Sequence, residues 1–264
     1  MENSSATITT QIAEARARIA EILLEIDNIT LQLNPQIEAE YATKIGYLEN
    51  DLLKWQIAAR RSRRRCQLAQ ARINAGLNFA EDQFEEQLDS ELEEWDSLLA
   101  QNVQAFLRTV EKRSGRQAMS PIDAQELKTL HKQLIKRLHP DLHPGQPEET
   151  TRFFMVAQSA YEQGDLYTLR SIAVATEGMG QPDNQSTLTE DEATVELEMV
   201  LAQERVTNSQ LEALKRSNPY ALKARLEDGT WVISRTTELK QQIEQQKEAA
   251  KSYDQRFKQL SRRS

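Results

Sequence analysis

The chain's three histidines and a neighbouring aspartate fall within one short stretch. His139, Asp141 and His143 surround Pro140, and His131 lies about two helical turns upstream. Imidazole and carboxylate groups are ligands for zinc or iron, so one interpretation is a metal-dependent enzyme that uses this histidine cluster. Pro140 keeps His139 and His143 off a shared helical face, which weighs against that interpretation. No nucleotide-binding or serine-hydrolase motif occurs, and no cofactor is expected.

The residues before His139 predict a basic amphipathic helix. Four leucines recur at helical spacing and form one buried stripe: Leu127, Leu130, Leu134 and Leu138. Three lysines stand four residues apart on another face, where they can meet an acidic partner: Lys128, Lys132 and Lys136. Because proline disfavours the α region for the residue before it, we expect the helix to end near Leu138 or His139. Asp141 would then lie in an exposed, rigid loop.

A second helix is predicted after this loop. Pro147 and the glutamates that follow it are typical of a helix start. An apolar stripe continues from there through Phe153, Phe154, Ala157, Ala160 and Tyr161. The two helices can pack antiparallel, which predicts a helical hairpin with His-Pro-Asp at its tip. Gly164 and Asp165 interrupt the second helix, and a short amphipathic helix should then close the hairpin.

This hairpin resembles the J-domain co-chaperones, which carry a His-Pro-Asp loop between a basic helix and a helix ending in an Ala-Tyr pair. The resemblance covers about residues 121–175. Besides the tripeptide, the matching residues are Lys128, Leu130, Lys132, Leu134, Lys136, Arg137, Pro144, Phe154, Ala160 and Tyr161. The resemblance implies that the chain binds a DnaK-type ATP-driven chaperone and stimulates its ATP hydrolysis. The residues implied to bind that partner are His139, Pro140, Asp141, Lys128, Lys132, Lys136 and Arg137.

Composition predicts an all-α protein of long helices. Of the 264 residues, 39% are hydrophobic and 28% charged, with only 8 Gly and 7 Pro, which is too polar for one large globular core. The net charge of -8 argues against a general nucleic-acid binder. A single cysteine, Cys66, excludes an internal disulfide and is typical of a reducing compartment. Without a signal peptide or a long apolar run, we expect a cytoplasmic protein that does not bind membranes.

The N-terminal part is predicted to form a long antiparallel coiled coil over residues 1–114. Apolar residues alternate at spacings of four and three from Ile8 to Leu33, and again from Tyr41 to Ile73. Asn34 and Pro35 between these seams predict a tight turn. Gly76 marks the next break, and a third helix follows from about Phe84 to Val110. The coil is expected to hold a client protein or to form a homo-oligomer.

Five arginines within residues 60–65 suggest either a site for nucleic acid or acidic lipid or an internal charge zipper. The arginines are Arg60, Arg61, Arg63, Arg64 and Arg65. If the chain turns near Leu77, the acidic residues Asp89, Glu91, Glu93 and Glu94 lie opposite them. Flanking charges of this kind select the partner and direction of coiled-coil helices. We therefore favour the internal zipper, and we interpret Cys66 on the same helix as a buried structural thiol.

The remaining chain is predicted to contain a linker and a second helical hairpin. Residues 177–189 hold Gly, Pro, Asn and Ser without periodicity, as linkers do. Residues 190–264 then show a further seam of four and three from Leu239 to Leu260. The predicted domains are thus 1–114, the J-domain-like hairpin 115–176, the linker 177–189 and the hairpin 190–264. The alternative function is a structural coiled-coil scaffold whose central hairpin binds no partner.

Overall fold

Helices make up all the regular structure that the computed structural model describes, which covers residues 2–77, 81–114, 119–177, 179 and 189–262. The all-α prediction is confirmed. The α-helices are α1 (Glu2–Asp27), α2 (Asn34–Tyr41), α3 (Tyr47–Asn74), α4 (Glu81–Ser114), α5 (Pro121–Leu138), α6 (Glu148–Gln163), α7 (Leu166–Ala175), α8 (Glu190–Arg216), α9 (Lys223–Glu227) and α10 (Gly229–Ser261). Most of the predicted linker lies outside the described residues.

The tight turn predicted at Asn34 and Pro35 is wrong. Asn34 has helical dihedral angles, φ -57 and ψ -47, and a π-helical stretch, Asn28–Leu33, joins α1 to α2. A second π-helical stretch, Ala42–Gly46, joins α2 to α3. Proline inside an α-helix clashes with the carbonyl four residues earlier. The Asn34 N–H bonds to the Ile29 carbonyl, five residues back, whereas an α-helical bond would reach four residues back. This wider turn lies immediately before Pro35 and lets the helix continue.

Packing divides the chain into two compact units, Met1–Gln36 with Arg116–Ala221 (unit 1) and Ile37–Gly115 with Leu222–Ser264 (unit 2). This division differs from the predicted domain ranges. In unit 1, α1 packs against α5 and α8; in unit 2, α3 packs against α10 and α4. The predicted pairing of α1 with α3 is therefore replaced by partners from later in the chain. Helices α8 and α10, predicted to pair as a hairpin, likewise belong to different units.

Unit 1 is organised around the predicted hairpin. Helix α5 begins at Pro121, with the Ser120 hydroxyl accepting from the Asp123 N–H at 3.1 Å, and ends at Leu138. Helix α6 ends at Gln163 and is followed by Gly164, whose φ of +73 suits a residue without a side chain; α7 comes next. The buried core joins these three helices to α1 through Ile19, Ala20, Leu23, Leu127, Leu134, Ile135, Leu138, Phe154, Ala157, Ala160, Tyr161, Leu169 and Ile172.

Unit 2 confirms the internal charge zipper. Helix α4 runs back along α3, and the ion pairs between them are Arg61–Glu85 and Arg61–Asp89 at 2.6 Å, Arg64–Glu91 at 2.7 Å and Arg65–Glu85 at 2.5 Å. The Arg60 guanidinium lies 4.1 Å from the centre of the Trp95 ring, a cation–π contact. The prediction named Asp89 and Glu91 correctly but missed Glu85, which pairs with two arginines. It also named Glu93 and Glu94, which make no ion pair with the described residues.

The single cysteine is buried in unit 2, as predicted. Its Sγ donates a hydrogen bond to the Tyr253 carbonyl of α10 at 2.9 Å, and burial raises the pKa of the Cys66 thiol. A raised pKa leaves little of the reactive thiolate near neutral pH. Cys66 therefore acts as a small packed side chain between α3 and α10.

Candidate partner-binding loop

The loop between α5 and α6 begins where the proline rule placed it. His139 leaves the helix with extended dihedral angles, φ -66 and ψ 127, and Pro140 follows. The His139 Nδ1 accepts a hydrogen bond from the Asp141 N–H at 3.1 Å, so the hydrogen of the neutral ring lies on Nε2. The ring also meets the Phe154 ring edge to face, with centroids 4.7 Å apart. Burial lowers the pKa of His139, which favours this neutral form.

Side chains within the loop close the C-terminal end of α5. The His143 Nε2 donates to the Lys136 carbonyl at 2.8 Å, and the Gln146 Nε2 donates to the Leu138 carbonyl at 2.8 Å. The last carbonyls of a helix have no partner within the helix, so these bonds satisfy groups that would otherwise need water. The loop is thus held to the helix at several points, and its conformation is fixed before any partner binds.

Asp141 has a fixed backbone and an exposed carboxylate. Its N–H is bonded to His139, while its side chain projects from the hairpin tip. The Gln203 Nε2 of α8 lies 3.4 Å from the Asp141 Oδ2, which is a long hydrogen bond. An exposed anion on a rigid support suits a charge-assisted bond to an arginine of another protein.

The four cations predicted to bind a partner lie in different environments. Lys128 is exposed and makes no ion pair with any residue that the structure describes. Lys132 is half-buried and Lys136 is exposed, and both approach Glu21 of α1, at 2.7 and 3.6 Å. Arg137 is turned towards α7 and donates to the Ala173 carbonyl at 2.8 Å. Lys128 is thus open to a partner, Lys132 and Lys136 share an internal anion, and Arg137 holds α7 in place.

A buried polar cluster, which sequence analysis did not find, ties α1 to the hairpin. His131 is fully buried and stacks on Tyr161 with ring centroids 3.9 Å apart. Its Nε2 donates to the Asp27 Oδ2 at 2.9 Å, and the Gln158 Nε2 donates to the Asp27 Oδ1 at 3.2 Å. Burial raises the pKa of the Tyr161 hydroxyl to about 12. The one signal in the sequence is the place of His131 on the leucine stripe, four residues from Leu127, where a polar side chain requires a buried partner.

Each of the three histidines of unit 1 makes a hydrogen bond within the protein. His131 pairs with Asp27, His139 accepts from a backbone N–H, and His143 donates to a backbone carbonyl. Within the described part of the chain, no three His, Cys, Asp or Glu side chains are grouped as metal ligands. The same part contains no helix both long enough and apolar enough to cross a bilayer.

Comparisons with models of known protein families, with curated proteins and with solved structures found no match to this chain.

Proposed function

We propose that this chain is a J-domain-like co-chaperone that recruits a DnaK-type ATP-driven chaperone and stimulates its ATP hydrolysis. The observation that carries the proposal is the exposed Asp141 carboxylate, whose backbone N–H is bonded to His139 at the tip of a helical hairpin. A turn that only reverses the chain does not require an anion held in this way. Exposed polar residues on a rigid loop more often mark a binding site.

Packing around the hairpin supports the proposal. The sequence 121–175 contains only the hairpin and its closing helix, and a two-helix hairpin has little core of its own. Ile19, Ala20 and Leu23 of α1 pack on the same core as Leu134 and other hairpin residues. Helix α1 therefore provides the additional helix that the hairpin needs to present a stable loop.

Charge gives the proposed contact two separate parts. Asp141 would pair with an arginine of the chaperone, and such a contact mainly slows dissociation. Lys128, with Lys132 and Lys136, would attract an acidic groove and mainly speed association, with a dependence on salt. In this proposal the longer helices hold a client protein or form a homo-oligomer, and the protein works in the cytoplasm.

The second candidate function is a structural scaffold. It is favoured by three basic side chains of α5 that contact other helices of unit 1. Lys132 and Lys136 share Glu21, and Arg137 bonds to the end of α7. If these side chains only stabilise the packing of unit 1 and bind no partner, the role of α5 is to hold α1 and α7 in place.

Single-turnover ATP hydrolysis by a purified DnaK-type chaperone distinguishes the two candidates. We expect the intact chain to stimulate hydrolysis and Asp141→Asn to abolish the stimulation, with unchanged melting, because exposed loop substitutions usually shift stability by less than about 0.5 kcal/mol. Glu149→Gln is the matched control, since it removes one negative charge from another exposed carboxylate just beyond the same loop. No stimulation by the folded intact chain, or equal losses in both variants, would contradict the proposal.

A further inference from the structure

Helix α8 carries an exposed apolar stripe that adjoins the His-Pro-Asp loop. The stripe consists of Val195, Met199 and Val206, whose exposed fractions are 56%, 63% and 53%. Gln203 lies on the same side of the helix, because positions 195, 199, 203 and 206 are separated by four, four and three residues. The Gln203 amide reaches Asp141 at 3.4 Å. The stripe and the exposed carboxylate therefore form one continuous surface of unit 1.

The orientation of this stripe is fixed by contacts on the other faces of α8. Thr207 and Leu211 are buried, and Val200 packs on the hairpin core. Three ion pairs join α8 to α1, namely Arg16–Glu196 at 2.7 Å, Arg18–Glu204 at 2.6 Å and Lys215–Glu25 at 2.7 Å. Rolling the helix to bury the stripe would break these contacts and expose the core residues. The apolar side chains are thus held outwards at the side of the loop.

We infer that the α8 stripe is a second contact surface for the ATP-driven chaperone, which buries Val195, Met199 and Val206 while an arginine of the chaperone pairs with Asp141. This inference rests on the proposed function. The partner it fits has an apolar ridge beside that arginine. We assign the stripe to the chaperone because Gln203, on the same side of α8, contacts Asp141, the residue proposed to bind the chaperone. Interfaces commonly combine such an apolar centre with charged groups at its edge.

The test is the affinity of the full chain for the purified DnaK-type chaperone in ATP, measured by fluorescence anisotropy of the labelled chain. Met199→Glu should weaken binding by about tenfold or more, as expected when an interface anchor is disrupted. Met155→Glu is the matched control, because Met155 on α6 is also 63% exposed but does not belong to the stripe. The control should bind within about twofold of the unchanged chain, as do most substitutions outside an interface centre. Thermal melting checks that both variants fold.

A crosslinking experiment keeps the inference testable if Met199→Glu does not fold. A photoreactive residue at position 199 should form an adduct with the chaperone that Asp141→Asn prevents, whereas one at position 155 should not. Asp141-dependent binding that Met199→Glu leaves unchanged would overturn the inference and leave the proposed function standing. Absence of any Asp141-dependent binding would overturn both. If Met199→Glu instead converts a dimer to a monomer with chaperone binding unchanged, the stripe is a self-association surface and the inference is wrong.

Discussion

Two basic stretches of this protein, on α3 and on α5, have different surroundings. On α3, the arginines of residues 60–65 face Glu85, Asp89 and Glu91, so most of their charge is compensated within unit 2. On α5, Lys132 and Lys136 share one glutamate, and Lys128 makes no ion pair with the described residues. A run of basic residues therefore does not identify a binding surface by itself. The number of acidic side chains on the neighbouring helix decides whether the charge is free.

The largest expected effect comes from reversing the α3 charges. Replacing Arg61, Arg64 and Arg65 with glutamate should lower the free energy of unfolding by about 2 kcal/mol, because each exposed pair contributes about 0.2–1 kcal/mol and like charges then face each other. Chemical denaturation measures the change. Arg63→Glu is the control, since Arg63 is exposed and no ion pair involves it in the described chain. Full stability in the triple variant would mean that the arginines are not a zipper.

A smaller effect is expected where α5 meets α1. Glu21→Gln should cost up to about 1 kcal/mol of stability and release Lys132 and Lys136. The lysines hold the pKa of Glu21 below its ordinary value, so their attraction is lost when this carboxylate is neutralised. Stopped-flow mixing with the chaperone should show faster association. Glu126→Gln, which removes the carboxylate paired with Arg170 at 2.7 Å, should leave the association rate unchanged.

The loop should respond to pH in a range where the arginine zipper does not. Burial lowers the pKa of His139 below its ordinary value of 6.5, against the opposing charges of Asp141 and Asp27 and with smaller contributions from His143 and His131. A histidine whose folded pKa is depressed adds stability above its unfolded pKa, and this stability is lost as the pH falls through the folded value. Lowering the pH from 7.5 to 5 should therefore destabilise the unchanged protein more than the His139→Gln variant. Chemical unfolding at each pH measures the difference. Parallel curves for the two proteins would contradict the assignment of a neutral, clamped ring.

The smallest effect on stability is expected at Lys128, which makes no ion pair with the described part of the chain. Lys128→Gln should change the free energy of unfolding by less than about 0.5 kcal/mol, as exposed substitutions usually do. It should nevertheless slow association with the chaperone and flatten the dependence of that rate on salt. Measuring the rate at several salt concentrations checks this. A salt dependence unchanged by the substitution would place Lys128 outside the contact.

Local patterns in the sequence predicted much of unit 1 and part of unit 2. Ser120 caps α5, Pro140 ends it and Gly164 ends α6, because each of these effects depends on neighbouring residues. The opposition of Arg61 to Asp89 also followed from local reasoning, since one short break at Gly76 brings α4 back along α3.

Interactions between distant residues could not be predicted in the same way. Asp27 and His131 are 104 positions apart, and nothing in either helix identifies the other residue as its partner. The pairing of α1 with α8 depends on tertiary packing, because several amphipathic helices of this chain offer similar apolar seams. The tight turn predicted at Pro35 was wrong for a different reason. Proline usually marks a helix start, but a π-helical stretch before Pro35 allows the helix to continue.

That π-helical stretch, Asn28–Leu33, also determines which side chains at the end of α1 face the hairpin. In a π-helix each hydrogen bond spans five residues instead of four, and each turn is wider than an α-turn. The wider turn brings Asp27 and Gln32 closer to one side, where Asp27 meets His131 and the Gln32 amide bonds to the Tyr161 carbonyl. With 3.6 residues per turn, the same two positions would point about 140° apart. The stretch therefore accommodates one extra residue in a helix that is otherwise regular, and it rotates the side chains that follow. Deleting the exposed Thr30 would remove the surplus residue and turn one of these two contacts out of alignment while leaving the composition of the cluster intact.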